Sequence, residues 1–301
     1  MGERGRRDPI PAAPPGLRGG RATVTVEIDL AGRVALVTGA GAGIGRGVAS
    51  WFARAGARVA VNDIDPGRAA SAAAELVSPA GPALPVPADC RDEAAVEAMV
   101  ATVCAELGGL DVLVANVGML PPGTGLAPVT GYGADQWRAV VDQNLVSAAL
   151  CARAAATVMT TAGTGGVLLF VTSGETTRPA PLNAAYGAAK AAVNHLVTSL
   201  AVELGPAGIR ACAMAPGTTA TETVAAAFTP ERMEAIVAST PLRRMVAVDE
   251  LGPLAVFLAS DLARCITGQF VLADAGAFLS RTRPANDEGL RRPPAGSASD
   301  A

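Results

Sequence analysis

The stretch RVALVTGAGAGIG, residues 33–45, decides the fold of this chain. Residues 33–37 form a short, mostly apolar run that predicts a buried strand, and apolar residues recur at helical spacing over residues 44–55. The glycines between them allow a tight turn and let the backbone approach a pyrophosphate, which would rest on the positive N-terminal end of the helix. The stretch therefore predicts a dinucleotide-binding strand–turn–helix unit. A tight turn that binds nothing is the alternative, because any strand-to-helix turn can use glycine.

Short apolar runs and long amphipathic stretches alternate along the rest of the chain. After the first strand, further buried strands are predicted at residues 58–61, 83–86, 110–115, 167–171, 209–214 and 269–272. Helical segments such as residues 93–107 separate them, and this alternation is typical of a parallel sheet wound with right-handed crossovers. We expect an α/β fold: a single-domain, doubly wound parallel sheet (Rossmann fold) of about seven strands with helices on both faces.

The two ends of the chain differ in composition from the part between them. Residues 1–28 are rich in Arg, Pro and Gly, and residues 280–301 have a similar composition. Such segments cannot bury enough apolar surface to fold, and the first lacks the apolar core of a signal peptide. We expect disordered tails at 1–28 and 280–301 and one folded catalytic domain at 29–279.

The composition narrows the class of protein. Of 301 residues, 50% are hydrophobic and 17% charged, and the formal net charge is −3, which gives no electrostatic case for nucleic acid or an anionic membrane surface. No apolar run reaches about eighteen residues, the length that spans a membrane. Five widely spaced cysteines favour reduced core residues in a cytoplasmic protein. We therefore expect no nucleic-acid partner, no membrane span and no metal.

An acidic residue follows the second predicted strand. Asp63 lies 24 residues after Gly39 and 18 after Gly45, about where a carboxylate accepts hydrogen bonds from the adenosine ribose hydroxyls and repels a 2′-phosphate. This spacing favours NAD over NADP. A turn residue is the bland alternative, and we assign that role to Asp65, which precedes Pro66 and Gly67.

Lysine occurs once among the 24 basic side chains, at Lys190, four residues after Tyr186. If residues 184–204 form a helix, the phenol and the ammonium lie one turn apart on the same face. A nearby cation favours phenolate, so we expect the pKa of Tyr186 to be lowered and the pair to transfer protons. An accidental pair on a solvated helix is the alternative. The single histidine, His195, lies on the same predicted helix, and we interpret it as structural.

Taken together, these residues resemble the short-chain dehydrogenase/reductase family over nearly the whole folded unit. The family's T-G-x-x-x-G-x-G is matched by residues 38–45, and its Y-x-x-x-K by residues 186–190. The resemblance implies four catalytic residues. These are Asn144, Ser173 (13 residues before the tyrosine), Tyr186 and Lys190.

The resemblance also implies the residues that bind the cofactor, which we expect to be NAD. They are Gly39, Gly41, Gly43, Ile44, Gly45, Asp63, Asp89, Cys90, Asn116, Tyr186, Lys190, Pro216, Gly217, Thr219 and Thr221. Three places depart from the family pattern. The family's N-N-A-G is Ala115-Asn116-Val117-Gly118 in this chain, its paired serines are Thr172-Ser173, and its D-G-G is Asp274-Ala275-Gly276. None of the three removes a group needed for the chemistry.

The implied activity is reversible hydride transfer between a secondary alcohol and the corresponding ketone, with Tyr186 as general acid/base. The alternatives are an NADP-dependent ketoreductase and a non-catalytic protein that senses NAD(H). We expect residues 218–240 to form a mobile lid without strands, and residues 119–132 to line a pocket for an apolar, cyclic small molecule. The helices around residues 134–161 and 184–204 resemble the family's subunit interface, which implies a homotetramer, with a dimer as the alternative.

Overall fold

The computed structural model describes residues 27–280, so the predicted tails lie outside the described residues except for positions 27, 28 and 280. Nine strands occur within that range. They are β1 (Val34–Val37), β2 (Arg58–Val61), β3 (Leu84–Pro85), β4 (Val112–Ala115), β5 (Gly166–Val171), β6 (Ile209–Pro216), β7 (Thr219–Ala220), β8 (Val246–Ala247) and β9 (Phe270–Ala273).

Seven of these strands form one parallel sheet in the order β3-β2-β1-β4-β5-β6-β9, which confirms the predicted fold class. The predicted strands match the observed ones to within two residues at either end. β7 and β8 were not predicted. They pair only with each other, so the expectation that residues 218–240 contain no strand is wrong at Thr219–Ala220. Two-residue strands arise from a tertiary contact and leave no periodic pattern in the sequence.

Nine helices connect and flank the strands of the described part. They are α1 (Gly43–Arg54), α2 (Pro66–Glu75), α3 (Glu93–Leu107), α4 (Ala134–Val141), α5 (Ser147–Ala162), α6 (Ala184–Leu204), α7 (Glu222–Ala227), α8 (Pro230–Ser239) and α9 (Val248–Ala259). Successive side chains of a strand point to opposite faces of the sheet. Accordingly Ala35 and Val37 pack in a cluster with α1, α2 and α9, and Val34 and Leu36 pack in a second cluster with α3, α5 and α6.

The predicted helix over residues 134–161 is interrupted by a π-helical turn. Residues 142–146 form this turn between α4 and α5, and they contain Asn144, which is fully buried. A π turn inserts one extra residue per turn and commonly occurs at functional sites. It changes the direction in which Asn144 points relative to a regular helix.

This helical run also meets a length-and-composition criterion for a membrane span. Residues 134–162 are the one run in the described part that does so, against our expectation that no run is apolar enough. The finding is weak evidence for a membrane, because core helices meet the same criterion. Here Cys151, Ala155 and Met159 are buried in the cluster beneath the sheet.

The strand order places the site. The order in which strands are added to the sheet reverses between β1 and β4. The strands β2 and β3 are added on one side of β1, and β4, β5, β6 and β9 are added on the other. In doubly wound sheets a crevice opens at this switch point, outside the carboxyl ends of the strands. The glycine loop follows β1 and Asn116 follows β4, so both lie at that crevice.

Candidate active site

A cavity of about 530 Å³ opens at the carboxyl edge of the sheet and gathers most of the predicted site residues. We call it the first cavity. The predicted residues in its wall are Gly39, Gly43, Ile44, Asp63, Asp89, Cys90, Asn116, Ser173, Tyr186, Lys190, Pro216, Gly217, Thr219 and Thr221. The other three predicted residues, Gly41, Gly45 and Asn144, are not in the wall, but each lies against a residue that is.

The glycine loop has the shape of a phosphate cradle. Gly39 has a φ of +60°, which favours glycine. A Cβ on Gly41 would lie 2.5 Å from Oδ2 of Asp63, and one on Gly45 would lie 2.5 Å from Nδ2 of Asn116. Ala42, the N-cap of α1, provides no side-chain cap, so the N–H groups of the first turn remain available to a ligand. These features fit the pyrophosphate of a dinucleotide.

Two asparagines and a threonine hold the loop in place. The Nδ2 of Asn116 donates to the carbonyls of Thr38 and Gly39, at 3.0 and 3.1 Å. The Oδ1 of Asn62 accepts from the N–H of Gly39 at 3.3 Å, while its Nδ2 donates to the carbonyls of Val86 and Ala88, which follow β3. The Asn116 amide therefore braces the loop beside the predicted ribose position, and Asn62 ties the loop to β3.

Carboxylates and arginines alternate at the end of the first cavity where β2 and β3 finish. Asp63 is buried and accepts from Arg68 through both Nε and Nη2, and the hydrogen bond and charge of Asp63 raise the pKa of Arg68. Asp89 is paired in the same way with Arg91, which lowers the pKa of Asp89. Asp65 caps α2 by accepting from the N–H of Arg68 at 2.9 Å, as its assignment as a turn residue anticipated.

The cysteine predicted at the adenine position lies beside these carboxylates. The thiol of Cys90 donates to Oδ1 of Asn62 at 3.3 Å. A hydrogen bond with Cys151 and burial both raise the pKa of Cys90, so this thiol stays neutral. All cysteines of the described residues are free.

Ser173 and Tyr186 meet at the opposite end of the first cavity. Ser173 follows β5, and its Oγ accepts from the N–H of Glu175 at 3.2 Å. Burial raises the pKa of Tyr186 above its ordinary value, the hydrogen bond with Ser173 lowers it, and the charge of Glu175 raises it. The expectation of a lowered pKa is therefore wrong for this structure, because desolvation of the phenol outweighs the stabilising contacts.

Lys190 lies one turn further along α6 and is buried, with 3% of its surface exposed. Its Nζ donates to the carbonyls of Val171 and Val117, at 3.0 and 3.4 Å, and burial lowers the pKa of Lys190 to about 8. An ammonium has three N–H donors, so one remains for a ligand or a water.

Asn144 approaches the same spot from the π turn. Its Nδ2 donates to the carbonyls of Val140 and Met119, both at 2.9 Å, and its buried Oδ1 has no partner in the described part of the chain. A Cβ on Gly118 would lie 2.8 Å from that Oδ1 and 2.7 Å from Cε of Lys190. Lys190 and Asn144 thus both pack directly on the bare backbone of Gly118, which brings the ammonium and the unpartnered Oδ1 into the same neighbourhood.

The segment after β6 closes the first cavity from the other side. Gly217 packs so tightly on Asp274 that a Cβ would lie 2.7 Å from the Asp274 Cα. Thr219 donates to the carbonyl of Gly217 at 3.0 Å, and Thr221 caps α7. The methyl group of Thr221 would lie 3.7 Å from a Cβ on Gly43, so this segment reaches across to the glycine loop.

A second cavity of about 960 Å³ continues from Tyr186 under α7 and α8. Its wall is mainly apolar and includes Met119, Leu120, Leu126, Leu182, Val224, Phe228 and Ile236. Charged side chains also line it, namely Glu175, Arg178, Glu231, Arg232, Arg244 and Asp274. Tyr186 belongs to both walls, so a molecule in the second cavity can reach the phenol.

Our reading of the sequence missed Asn62 and Arg68, which both line the first cavity. A signal for Asn62 was present, since an asparagine next to Asp63 at the end of an otherwise apolar strand needs a hydrogen-bonding role. Arg68 carried no such signal, because its pairing with Asp63 depends on where α2 begins.

The chain is similar to known proteins over most of its length. Residues 39–277 match the family model described as enoyl-(acyl carrier protein) reductase. The chain is 36% identical over 253 residues to L-rhamnose 1-dehydrogenase (NAD(P)(+)) of Azotobacter vinelandii, which covers 82% of this chain and 97% of that protein.

Two solved structures show the same similarity at the level of the fold. One is 7α-hydroxysteroid dehydrogenase complexed with NADH and 7-oxo glycochenodeoxycholic acid (TM-score 0.78, 32% identity, 83% of this chain and 96% of that one). The other is a gluconate 5-dehydrogenase from Burkholderia cenocepacia J2315 in complex with NADP and tartrate (TM-score 0.78, 31% identity, 84% of this chain and 98% of that one).

Proposed function

This chain belongs to the short-chain dehydrogenase/reductase family of oxidoreductases, and from that premise we propose that it interconverts a secondary alcohol and its ketone with NAD as the preferred cofactor. The observation that carries the proposal is the convergence of Ser173, Tyr186 and Lys190 on a cavity whose other end is a glycine loop shaped for a pyrophosphate. When bound, the nicotinamide supplies the hydride chemistry, accepting a hydride in alcohol oxidation and donating one in ketone reduction.

Tyr186 is the proposed general acid/base. In ketone reduction its Oη gives a proton to the substrate oxygen, and in oxidation it takes the hydroxyl proton. A raised pKa keeps the phenol protonated, which suits the reduction direction. Ser173 donates a hydrogen bond to the substrate oxygen, and this bond strengthens as negative charge develops there. The hydrogen bond from the N–H of Glu175 uses only a lone pair of this hydroxyl, so its proton, which bonds with Tyr186 in this structure, can turn to a substrate oxygen.

Lys190 and Asn144 supply the proposed proton path behind Tyr186. A water held between the Oδ1 of Asn144 and the Nζ of Lys190 would satisfy both groups, since Oδ1 needs a donor and the ammonium keeps one N–H. The pKa of Lys190, about 8, is close enough to neutral pH for its ammonium to release a proton and take one up again.

The preference for NAD rests on Asp63. A buried carboxylate at the end of β2 accepts hydrogen bonds from the ribose hydroxyls and repels a 2′-phosphate. Relatives bind either cofactor, because one solved structure holds NADH and another holds NADP. We therefore propose NAD as the preferred cofactor.

The substrate is proposed to be an alcohol with an apolar body and a polar substituent. A cavity of about 960 Å³ lies in the range that holds drug-sized molecules, and its mainly apolar wall suits a ring system. We expect an apolar, cyclic molecule, and the charged groups in that wall indicate that it also carries a polar substituent. The relative complexed with 7-oxo glycochenodeoxycholic acid holds a ligand of this kind.

Residues 218–240 are the proposed lid over this substrate. They form β7, α7 and α8, and neither helix has a fully buried residue, so opening them exposes little apolar surface.

We also propose that residues 29–279 form one catalytic domain and that the protein is cytoplasmic. Its proposed assembly is a homotetramer, with a dimer as the alternative. Val202 on α6 is 79% exposed and is a candidate for burial between subunits. Analytical ultracentrifugation tests the assembly.

A panel of cyclic and acyclic secondary alcohols, their ketones and an enoyl thioester, each assayed with both cofactors by absorbance of the reduced nicotinamide, tests the function. We expect turnover of alcohols and ketones with a preference for NAD. Turnover of the enoyl thioester alone would contradict the reaction class, and no turnover of any compound would favour a protein that only senses NAD(H).

A further inference from the structure

The wall of the second cavity contains a side-chain amide whose oxygen is not hydrogen-bonded within the described part of the chain. Asn183 lines this cavity and lies three residues before Tyr186. Its Oδ1 is buried and has no hydrogen-bond partner among the described residues. Asn144 and Asn194 also have such an oxygen, but neither belongs to the wall of the first or the second cavity. A buried polar atom left unbonded costs free energy, so Oδ1 of Asn183 calls for a ligand or a water as its partner.

The Asn183 side chain does not cap the helix that it precedes. Asn183 is the N-cap residue of α6, a position where an asparagine oxygen commonly accepts from an N–H of the first turn. Here the side chain makes no such hydrogen bond. The backbone of the residue is bonded, since its N–H donates to the carbonyl of Ala180 at 3.1 Å and its carbonyl accepts from Gly187 at 3.0 Å. Capping therefore does not explain the amide.

The residue before Asn183 adopts a strained conformation. Leu182 has a φ of 62°, in the left-handed region that favours glycine, and it also lines the second cavity. Its carbonyl accepts from the N–H of Ala127 at 2.9 Å, so the turn is tied to the segment after β4. Strain of this kind persists where the surrounding structure imposes it, and it is frequent at positions that bind ligands. The turn fixes the point at which Asn183 enters the cavity wall.

We propose that Asn183 is a specificity-determining residue whose Oδ1 accepts a hydrogen bond from a second hydroxyl group of the substrate, so that the preferred substrate is a cyclic diol or polyol. The inference rests on the proposed function, because it requires a ring alcohol in the second cavity with its reacting hydroxyl at Tyr186. A carbonyl oxygen only accepts, and a hydroxyl supplies the donor without bringing a charge into a mainly apolar wall. The N-cap and the third residue of a helix are neighbours, so one ring can offer hydroxyls to both side chains.

A bound water is the other partner that Oδ1 could have, and it makes a different prediction. A water that stays on Oδ1 satisfies it whichever alcohol binds, so loss of the amide changes the rates on all alcohols by the same factor. A substrate hydroxyl bonds Oδ1 only in diols, so loss of the amide lowers the rate on diols alone. The ratio of the rates on a diol and on an analogue without the second hydroxyl therefore separates the two roles.

The test measures kcat/KM for the oxidation of ring alcohols by the full-length protein with NAD. Each cyclohexanediol is compared with the methylcyclohexanol that carries a methyl group in place of the second hydroxyl, on the next, the second or the third carbon of the ring. We expect the wild type to prefer at least one diol about tenfold or more, because a site that bonds a hydroxyl rejects an analogue that leaves the site unpaired. Asn183→Leu has a similar size and no polar atom, and it should reduce this preference to about twofold, which two equivalent hydroxyls give by number alone.

Two further variants control the result. Asn183→Asp keeps an acceptor oxygen at the same position and should keep the preference for the diol. Asn194→Leu is the matched control, because Asn194 lies on the same helix and has a similar buried oxygen but belongs to neither cavity wall. It should leave the preference unchanged even where it lowers both rates. Thermal unfolding of each variant checks the fold, and Asn183→Ala replaces Asn183→Leu if the larger side chain unfolds the protein.

The outcomes separate the role of Asn183 from the proposed function. A wild type that prefers no diol by more than about threefold, a preference that falls less than about threefold in Asn183→Leu, or an equally large fall in Asn183→Asp would overturn the inference. Turnover of other alcohols but of none of these rings would overturn it as well, while the proposed function stands. If the wild type turns over no alcohol or ketone with either cofactor, the proposed function itself fails.

Discussion

Gly118 is the position where a single methyl group should disable the catalytic apparatus while leaving the fold in place. In Gly118→Ala the added carbon would lie 2.7 Å from Cε of Lys190 and 2.8 Å from Oδ1 of Asn144. The added carbon would come closer still to Nζ of Lys190, and ordinary contact begins near 3.4 Å, so the end of the lysine side chain must move by roughly 1 Å. That movement would break the 3.0 Å hydrogen bond from Nζ to the Val171 carbonyl.

Displacement of a catalytic group by about 1 Å typically costs about 100-fold in rate, so we expect kcat of Gly118→Ala to fall by about that factor. The fold should survive, because the clash is with the flexible end of a side chain and not with backbone. Steady-state kinetics on the best alcohol and thermal unfolding by circular dichroism measure the two effects.

Gly125→Ala is the matched control for this substitution. Gly125 lies, like Gly118, between β4 and α4, and a Cβ there would meet no atom within 4 Å. Its kcat should stay within about twofold of the wild type, in line with the small effect of exposed substitutions. A Gly118→Ala enzyme with wild-type kcat, or one that is merely unfolded, would refute the assigned geometry of Lys190 and Asn144.

Three further predictions concern stability. The pKa of Lys190 is about 8 in the folded protein and 10.5 for an unperturbed lysine, so the unfolded chain binds more protons between these values and stability rises with pH across that window. Urea unfolding should show that Lys190→Met is more stable than the wild type below pH 8 and loses that advantage toward pH 10. A difference that stays constant with pH would contradict the burial of the ammonium. Ala275 has a φ of 54°, a conformation that glycine adopts without strain, so Ala275→Gly should raise the free energy of unfolding by about 1 kcal/mol, and a lowered Tm would count against this. Asn62→Ala removes the side-chain partner of the Val86 and Ala88 carbonyls and of the N–H of Gly39, and it should cost about 2 kcal/mol or more together with weaker NADH binding; an unchanged urea midpoint would speak against it.

The strands and the glycine loop could be predicted from the sequence because local patterns determine them. Each buried strand of a parallel sheet is a short apolar run, and the run from Val34 to Val37 passes directly into glycines whose positive φ angles at Gly39 and Gly43 require that residue type. The helix that carries Tyr186 and Lys190 spans Ala184–Leu204, the range that the sequence analysis assumed for it.

The parts that could not be predicted depend on contacts between distant segments. The π turn around Asn144 keeps a nearly helical apolar period, so the sequence there is indistinguishable from a continuous helix. The raised pKa of Tyr186 depends on how completely neighbouring elements bury the phenol, which spacing to Lys190 does not reveal. The pairing of Arg68 with Asp63 depends on the start of α2 after a two-residue turn.

The departures from the family pattern have physical consequences of different size. Where the family pattern has the first glycine of D-G-G, Ala275 adopts a left-handed conformation. The alanine therefore strains the backbone but replaces no group that the reaction needs. At the end of β4 the retained Asn116 braces the glycine loop through both carbonyls that its amide reaches. Both departures therefore affect packing and leave the groups that we propose to transfer protons intact.

The most direct test of the central claim is the rate of Tyr186→Phe on the best alcohol, measured beside NADH binding. The substitution removes only the phenolic oxygen of a residue that lines both cavities. The account predicts a kcat at least about 100-fold below the wild type, with NADH affinity within about threefold, because general acid/base groups contribute that much or more. A Tyr186→Phe enzyme that keeps more than about a tenth of the wild-type kcat would contradict the account.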